Sequence, residues 1–443
     1  MGTMFFDGDH HGAHPVTCHE GHMTATSPKE RAAIAPRSPT SDAARVTWSL
    51  HALLLIGSGV VASAQIGKAI ISVPLIRSDL SLGFDVAGLI VATFATMGAT
   101  MGIGAGVVVG RLGVRRSLIG GMGTIAVGSV IGAAASDELV LLSARIIEGI
   151  GFFGVVLAIP SILARLVPRD ARDFVMAVWS AYMPAGIMLM LFAAPLLAFI
   201  GWRNFWLANA LVASACAALL AIYAPAVSAT AREPAGRFFS EAMTVVRHPS
   251  CLVLAFAFFA YSCQIFSLTF ALPLLLTSAH NVALGTAGLL SALVLAVSAI
   301  GHLSSGLLLK AGVPIWTNIA VAFGCFALSG FGVYGGTLPP LGVSLIAALA
   351  LGVGGLAPGA IYAAAPHAAP TPSAVPPTIG LVQQASNLGQ FAGPVALGLW
   401  VEHLDWQAAP AVLAPVALVG LASALVLRRI LIIDEYRKGN ARE

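Results

Sequence analysis

The sequence predicts an all-α membrane protein whose twelve transmembrane helices form two pseudo-symmetric six-helix halves. Three observations carry this prediction. Of 443 residues, 58% are hydrophobic and only 9% charged, whereas a soluble domain needs far more charge on a surface facing water. The apolar residues recur in blocks of about 20 or more, enough to cross a bilayer as helix at about 1.5 Å per residue. These blocks lack the period-two alternation of strands and are too long for barrel segments. Finally, the second part of the chain repeats the first.

In chain order, residues 1–46 are polar, rich in Ser, Thr, Pro and His, and lack a signal peptide's basic–apolar–cleavage order. They are expected to be a disordered cytoplasmic tail. His10, His11, His14, Cys18, His19 and His22 are dense enough to attract Zn, Ni or Cu, but their spacing fits no closed site. No metal site is assigned there, and Met23 offers a second start. Apolar blocks then predict helices over 48–76, 86–108, 117–135, 139–166, 174–200 and 205–224, a half spanning 47–225. A polar cytoplasmic linker, 226–249, separates it from helices over 250–276, 284–308, 314–336, 341–365, 378–401 and 407–433. The second half spans 250–433, and 434–443 is a short cytoplasmic tail. Trp48, Trp202, Trp206, Trp316, Trp400 and Trp406 fall at predicted helix ends, as an interfacial belt would place them. Four of the five cysteines lie inside apolar blocks and read as packing residues.

Basic residues orient the chain. Lys29, Arg31, Arg37, Arg45, Arg111, Arg115, Arg116, Arg165, Arg169, Arg172, Arg232, Arg237, Arg247, Lys310 and the C-terminal arginines share one side, leaving Arg77 and Arg203 on the other. Cationic loops resist translocation, so both termini are expected in the cytoplasm. The net charge of +4 follows the membrane and does not point to nucleic acid.

The repeat aligns Gln65 and Pro74 with Gln264 and Pro273 at one constant separation. With single-residue slips it continues through Ala87 and Ala287, Gly106 and Gly306, and Gly113 and Gly312, and later Trp202 meets Trp406. Parallel halves of this kind put a binding site at their interface near the midplane.

Several motifs together resemble the major facilitator superfamily over residues 48–433. Gly106–Arg116 (GVVVGRLGVRR) is similar to its loop signature after the second helix, with Gly110 in place of the usual Asp. Arg145–Gly154, Met183–Gly186, Gly201–Trp206 and Gly389–Pro394 resemble its fourth, fifth, fifth-to-sixth and eleventh helix motifs. The fourth to sixth helices lean towards cyanate-permease-like members. The resemblance implies a secondary carrier working by alternating access, with Gly106, Arg111, Gly113, Arg115 and Arg116 gating the cytoplasmic loop. Drug antiporters of the family often have an Asp nine residues before the proline of the first helix, where this chain has Gln65.

Lys68, Arg145, Glu148 and His302 are the ionisable residues within predicted spans. Charge in hydrocarbon costs about 2.5–3.5 kcal/mol even on the lenient insertion scale, so such residues face a wet cavity or a partner. Arg145 and Glu148 share a helix face, and a purely structural pair is one reading. Lys68 admits three roles, namely substrate contact, pairing with Glu148, or snorkelling. Glu148 and His302 are candidate proton carriers, although a lone helical His is commonly a packed hydrogen-bonder. Gln383, Asn387 and Gln390 form one stripe of the eleventh helix, fitted for interhelical bonding or substrate contact. Gln65, Tyr261 and Gln264 complete the candidate substrate set with Lys68, Arg145, Asn387 and Gln390. No cofactor is expected: Gly149-x-Gly151-x-x-Gly154 lies inside a membrane block, without the strand that a dinucleotide fingerprint needs, and no ATP-binding loop motif occurs. The chain is therefore read as no enzyme. It is expected to carry a small organic or inorganic anion across a bacterial-type inner membrane, with a co-transported proton or ion as a candidate partner. The alternative is a proton-coupled efflux carrier for apolar or cationic compounds.

Overall fold

In lipid a chain must satisfy its own backbone hydrogen bonds, and helices fill the computed structural model. It describes residues 39–101, 112–168, Val175, Trp179, 181–224, 243–371 and 374–440. The first predicted helix is α1, Pro39–Leu80. The second is broken into α2 (Phe84–Ala92), a 3₁₀ turn (Thr93–Ala95) and α3 (Thr96–Met101). Then follow α4 (Val114–Ala133), α5 (Glu138–Leu166), α6 (Tyr182–Phe192), α7 (Ala194–Ile200) and α8 (Trp202–Tyr223). The C-terminal group is α9 (Pro249–Ser278), α10 (Leu284–Lys310), α11 (Ile315–Tyr334), α12 (Pro340–Gly354), α13 (Leu356–Ala368), α14 (Val375–Leu404) and α15 (Ala409–Asn440). No strand occurs among the described residues.

Nine of these stretches are long and apolar enough to cross a membrane, or ten if the bent pair α6–α7 is one span. The expected count of twelve is not met among the described residues. The second helix is described only as far as Met101, and α14 carries four amides that dilute its hydropathy. The 47° bend between α6 and α7 has a cause in Pro195, which cannot donate to the Leu191 carbonyl. Two expected boundaries also move. Residues 39–46, read as disordered tail, are helical, with Pro39 at the start, where a missing N–H costs nothing. At the other end α15 runs on to Asn440 through most of the expected tail.

Residues Trp48–Glu443 form one compact body, and the sequence repeat is written into its backbone. Ser81 and Asn281 end α1 and α9 in matching left-handed conformations, with φ of 54° and 53°. Gly113 and Gly312 precede α4 and α11 with φ of 88° and 87°, and Gly201 and Asp405 precede Trp202 and Trp406 with φ of 78° and 72°. The corresponding helices α1 and α9 are also the most buried spans, at 72% and 67%.

The two groups of helices meet along two seams, α2 with α14 and α6–α7 with α10. Both rely on small residues. A methyl group at Gly288 would lie 2.8 Å from the Leu191 carbonyl oxygen, and one at Gly88 would strike the carbonyl of Pro394. The α2–α14 seam closes at one end where the Phe84 N–H donates to Glu402 Oε2 (2.6 Å). There the Phe84 ring also lies between the Arg77 guanidinium (3.5 Å) and Trp406 (5.5 Å).

Candidate functional site

Two polar groupings stand out, one inside the N-terminal helices and one inside the C-terminal helices. In the first, Lys68 of α1 and both Arg145 and Glu148 of α5 have no solvent-exposed surface. Lys68 Nζ donates to Glu148 Oε1 (2.5 Å) and to Ser129 Oγ (2.8 Å), and lies 4.1 Å from the Trp206 ring centre. Ser129 Oγ in turn donates to the same carboxylate oxygen (2.5 Å). Arg145 reaches the other carboxylate oxygen, Glu148 Oε2, and donates through Nε to the Ile90 carbonyl (2.9 Å). Its Nη1 also donates to the Gln65 backbone carbonyl (3.1 Å), while its Nη2 is buried without an acceptor. Phe94 lies 4.7 Å from the guanidinium. The Gln65 side chain bonds its own helix at Val61 and lies 3.3 Å from Ser129 Oγ.

Every partner described in this network belongs to the N-terminal helices. Of the three roles open to Lys68 in the sequence, the geometry supplies the ion pair with Glu148. Two cations around one carboxylate leave one surplus positive charge when all three are ionised. The field of that charge is weakly screened in a low-dielectric interior. Removing water from such a triad is costly, and the cost is offset only if nearly every donor and acceptor is engaged. Two Lys68 N–H groups have acceptors and the ammonium lies over Trp206, while Arg145 Nη2 has none.

The second grouping gathers side chains of α9, α10, α13 and α14. Tyr261 of α9 lies with its hydroxyl 3.4 Å from His302 Nε2, while His302 Nδ1 is 2.7 Å from the Ser298 carbonyl. A carbonyl only accepts, so Nδ1 carries the hydrogen and Nε2 accepts from the tyrosine. Tyr362 of α13 donates to Gln383 Oε1 of α14 (2.6 Å) and packs edge-on against Phe258, 5.3 Å between centres. Tyr182 starts α6 in the N-terminal group, where its backbone carbonyl accepts from Ser63 Oγ of α1 (2.7 Å). Its ring stacks on Trp179 at 4.2 Å and 9°. Tyr362 keeps 39% of its surface open.

The remaining candidates are dispersed. Gln264 is buried in the C-terminal group, donating to the Leu413 carbonyl (2.6 Å) beside a pocket of about one water's volume that Tyr334 also lines. Asn387 and Gln390 are buried on α14, bonded to each other (3.4 Å), with Asn387 packed against Gly98. Gln384 donates to the Ala99 carbonyl (2.9 Å), which links α14 to α3. Gly113 forms the turn before α4, and Arg116 is exposed. Arg115 donates to the Ala221 (2.6 Å) and Ala224 (3.1 Å) carbonyls at the end of α8, a helix cap. Gly106, Arg111 and the histidine-rich tail lie outside the described residues, among which no group of His, Cys, Asp and Glu is arranged to hold a metal.

Sequence reasoning missed five contributors. Ser129 is one small hydroxyl in an apolar block. Trp206 had been assigned to the interfacial belt, but it is fully buried over Lys68, and Trp202 and Trp406 are buried as well. Trp179, Tyr182 and Tyr362 carried no signal, since an aromatic in a membrane block faces lipid as readily as a cavity.

A bacterial homologue of the human lysosomal transporter Spinster, in an inward-facing and unoccupied conformation, superimposes with a TM-score of 0.67 at 17% identity, covering 88% of this chain and 95% of its own. The nucleoside transporter NupG gives 0.71 at 13%, covering 86% and 99%. At such identities the likeness concerns the fold. No curated protein shows significant sequence similarity to the chain. The sequence model described as "Major Facilitator Superfamily" matches residues 54–374, and with the helical fold around these two groupings the chain belongs to that superfamily: it is a multi-pass membrane transporter and not an enzyme.

Proposed function

We propose that this transporter moves a small organic or inorganic anion across the inner membrane by alternating access between two six-helix halves. Twelve spans are counted by joining α2 with α3, α6 with α7, and α12 with α13. The halves are residues 47–225 and 250–433, linked on the cytoplasmic side by 226–249, with both termini in the cytoplasm. The matched backbone turns and the two seams support this arrangement, since each seam is the counterpart of the other under the repeat.

The anion reading rests on one observation, the surplus positive charge of the Lys68–Arg145–Glu148 network with an unengaged Arg145 nitrogen. An anion need not touch the ammonium group to be drawn by it in a low-dielectric interior. Lys68→Met removes the surplus and leaves a neutral Arg145–Glu148 pair. In detergent, small carboxylates should raise the melting temperature of the wild type through mass action and not that of the variant. An equal shift in both proteins would defeat the anion reading.

The second reading, efflux of apolar or cationic compounds, is favoured by the aromatic lining at Trp179, Tyr182, Tyr261 and Tyr362. Proton coupling is then better assigned to His302 than to Glu148, whose carboxylate is held by two cations. Stabilisation of both proteins by hydrophobic cations alone would select this reading.

A further inference from the structure

Helices α11 and α15 pack together and run antiparallel, and a ring contact marks each end of the pair. At one end Tyr334 stacks on Trp406, with 6.2 Å between centres and 2° between planes. At the other the Arg428 guanidinium lies 4.9 Å from the Trp316 ring centre. From Trp406 to Arg428 the chain rises about 33 Å at about 1.5 Å per residue, slightly more than a hydrocarbon core of about 30 Å. With the Trp406 turn at one interface, Arg428 and Trp316 therefore stand at headgroup depth in the other. Arg428, Arg429 and Lys310, which ends α10 one tight turn before α11, are all exposed. None of the three has an ion-pair or hydrogen-bond partner among the described residues. The acids whose side chains are described lie at the turns of the opposite end or, like Glu148, inside the bundle. Asp434 and Glu435 come next on α15, beyond the three- or four-residue spacing that pairs charges on a helix. One turn towards the membrane centre, and within that spacing of Arg429, Leu425 and Val426 are exposed. A cationic rim thus sits directly above an apolar strip.

We propose that this rim is a binding site for an anionic phospholipid. A guanidinium lying over an aromatic ring keeps its N–H edge free, and that edge matches phosphate oxygens. Arg428 holds the phosphate in this way, Arg429 and Lys310 add attraction, and the acyl chains run along Leu425 and Val426. The Trp316 indole N–H supplies a further donor at the same depth. The apolar strip argues for a lipid over a free phosphate, which would gain nothing from it. The site rests on the chain being a membrane transporter and is independent of the solute carried.

The test titrates the full-length protein, stripped of lipid in detergent, with phosphatidylglycerol and with phosphatidylcholine of the same short acyl chains, while melting temperature is followed. Phosphatidylglycerol should raise it at concentrations several-fold below those that phosphatidylcholine needs. Arg428→Gln should weaken the phosphatidylglycerol response roughly fivefold and leave phosphatidylcholine unchanged. Trp316→Leu should weaken it too, and Trp316→Phe, which keeps a π face under the guanidinium, should not. Arg116→Gln, an equal loss of charge at an exposed residue of α4, should leave both curves where they are in the wild type. Arg429→Gln provides a second variant should Arg428→Gln not fold. No preference for phosphatidylglycerol overturns the proposal, and so does an equal weakening by Arg428→Gln and Arg116→Gln, which would reduce the effect to overall charge. A shift with inorganic phosphate that Arg428→Gln abolishes would replace the lipid by a free anion and overturn it as well.

Discussion

Glu148 holds two cations in place with a single carboxylate, and neutralising it should be the most damaging change in the network. Glu148→Gln would leave Lys68 and Arg145 facing each other without a counter-charge in a water-free pocket. Breaking a buried ion pair from one side costs about 3–5 kcal/mol. Lys68→Met keeps the Arg145–Glu148 pair and a stem of similar length under Trp206, so its cost should be far smaller. Melting curves of the two purified variants would decide the matter, and a Lys68→Met protein less stable than Glu148→Gln would contradict this account. The participants were legible at this scale because an ionisable group in an apolar block has to be paired or wetted. The geometry was not legible: three residues on two helices can be joined in several ways, and the choice depends on Ser129 and Trp206 from two further helices. Gln264 illustrates the converse. It matches Gln65 in the repeat, yet it bonds a backbone carbonyl of α15 while Gln65 sits beside the charges.

Turns and breaks decide how the elements are joined. The repeat seen at Gly113 and Gly312 reappears as nearly identical backbone angles, since a glycine in a left-handed turn imposes a conformation that other residues adopt only with strain. At the third pair the same turn is made by Gly201 in one case and Asp405 in the other. Asp405 is anchored by its own side chain, which accepts from the Trp406 N–H (2.6 Å). Gly201→Ala should therefore destabilise by about 1 kcal/mol or more through φ strain. Asp405→Asn should be close to neutral, because Asn keeps the acceptor at the same backbone angles, and Asp405→Ala should lose it. Thermal unfolding of the three variants tests the order. An Asp405→Ala protein as stable as Asp405→Asn would show that the cap carries no weight. Element positions were readable from hydropathy, but the interruptions were not. The bend follows from Pro195, which a reading by hydropathy passes over, whereas the 3₁₀ turn at Thr93–Ala95 carries no such mark and lies where the Phe94 carbonyl meets Gly149.

For the whole molecule, contacts between the two groups of helices extend from those of α14 with α3, at Gln384 with Ala99 and Asn387 with Gly98, to the end that carries the α1–α2 and α9–α10 turns. Phe84 with Glu402 and Gly88 with Pro394 close one seam, and Gly288 with Leu191 and Gly285 with Pro195 close the other. Under the proposed topology this is the outer end, so the arrangement is closed outwards, and transport requires both seams to part together. Backbone packed this closely behaves as a two-position element, since a side chain inserted there has no room to be absorbed gradually. Gly288→Val should wedge the α6–α7 and α10 seam and shift the population towards the outward-open state. A reporter cysteine in place of Tyr182, introduced after replacing the native cysteines, gives the readout in sealed vesicles oriented outer face out. A membrane-impermeant thiol reagent should label it slowly in the parent and several-fold faster with Gly288→Val. Valine at exposed Gly120, where a methyl group meets nothing within 4 Å, serves as the control and should leave the rate unchanged. Equal labelling in all three proteins would mean that the seam is scaffold and that access to Tyr182 is controlled elsewhere.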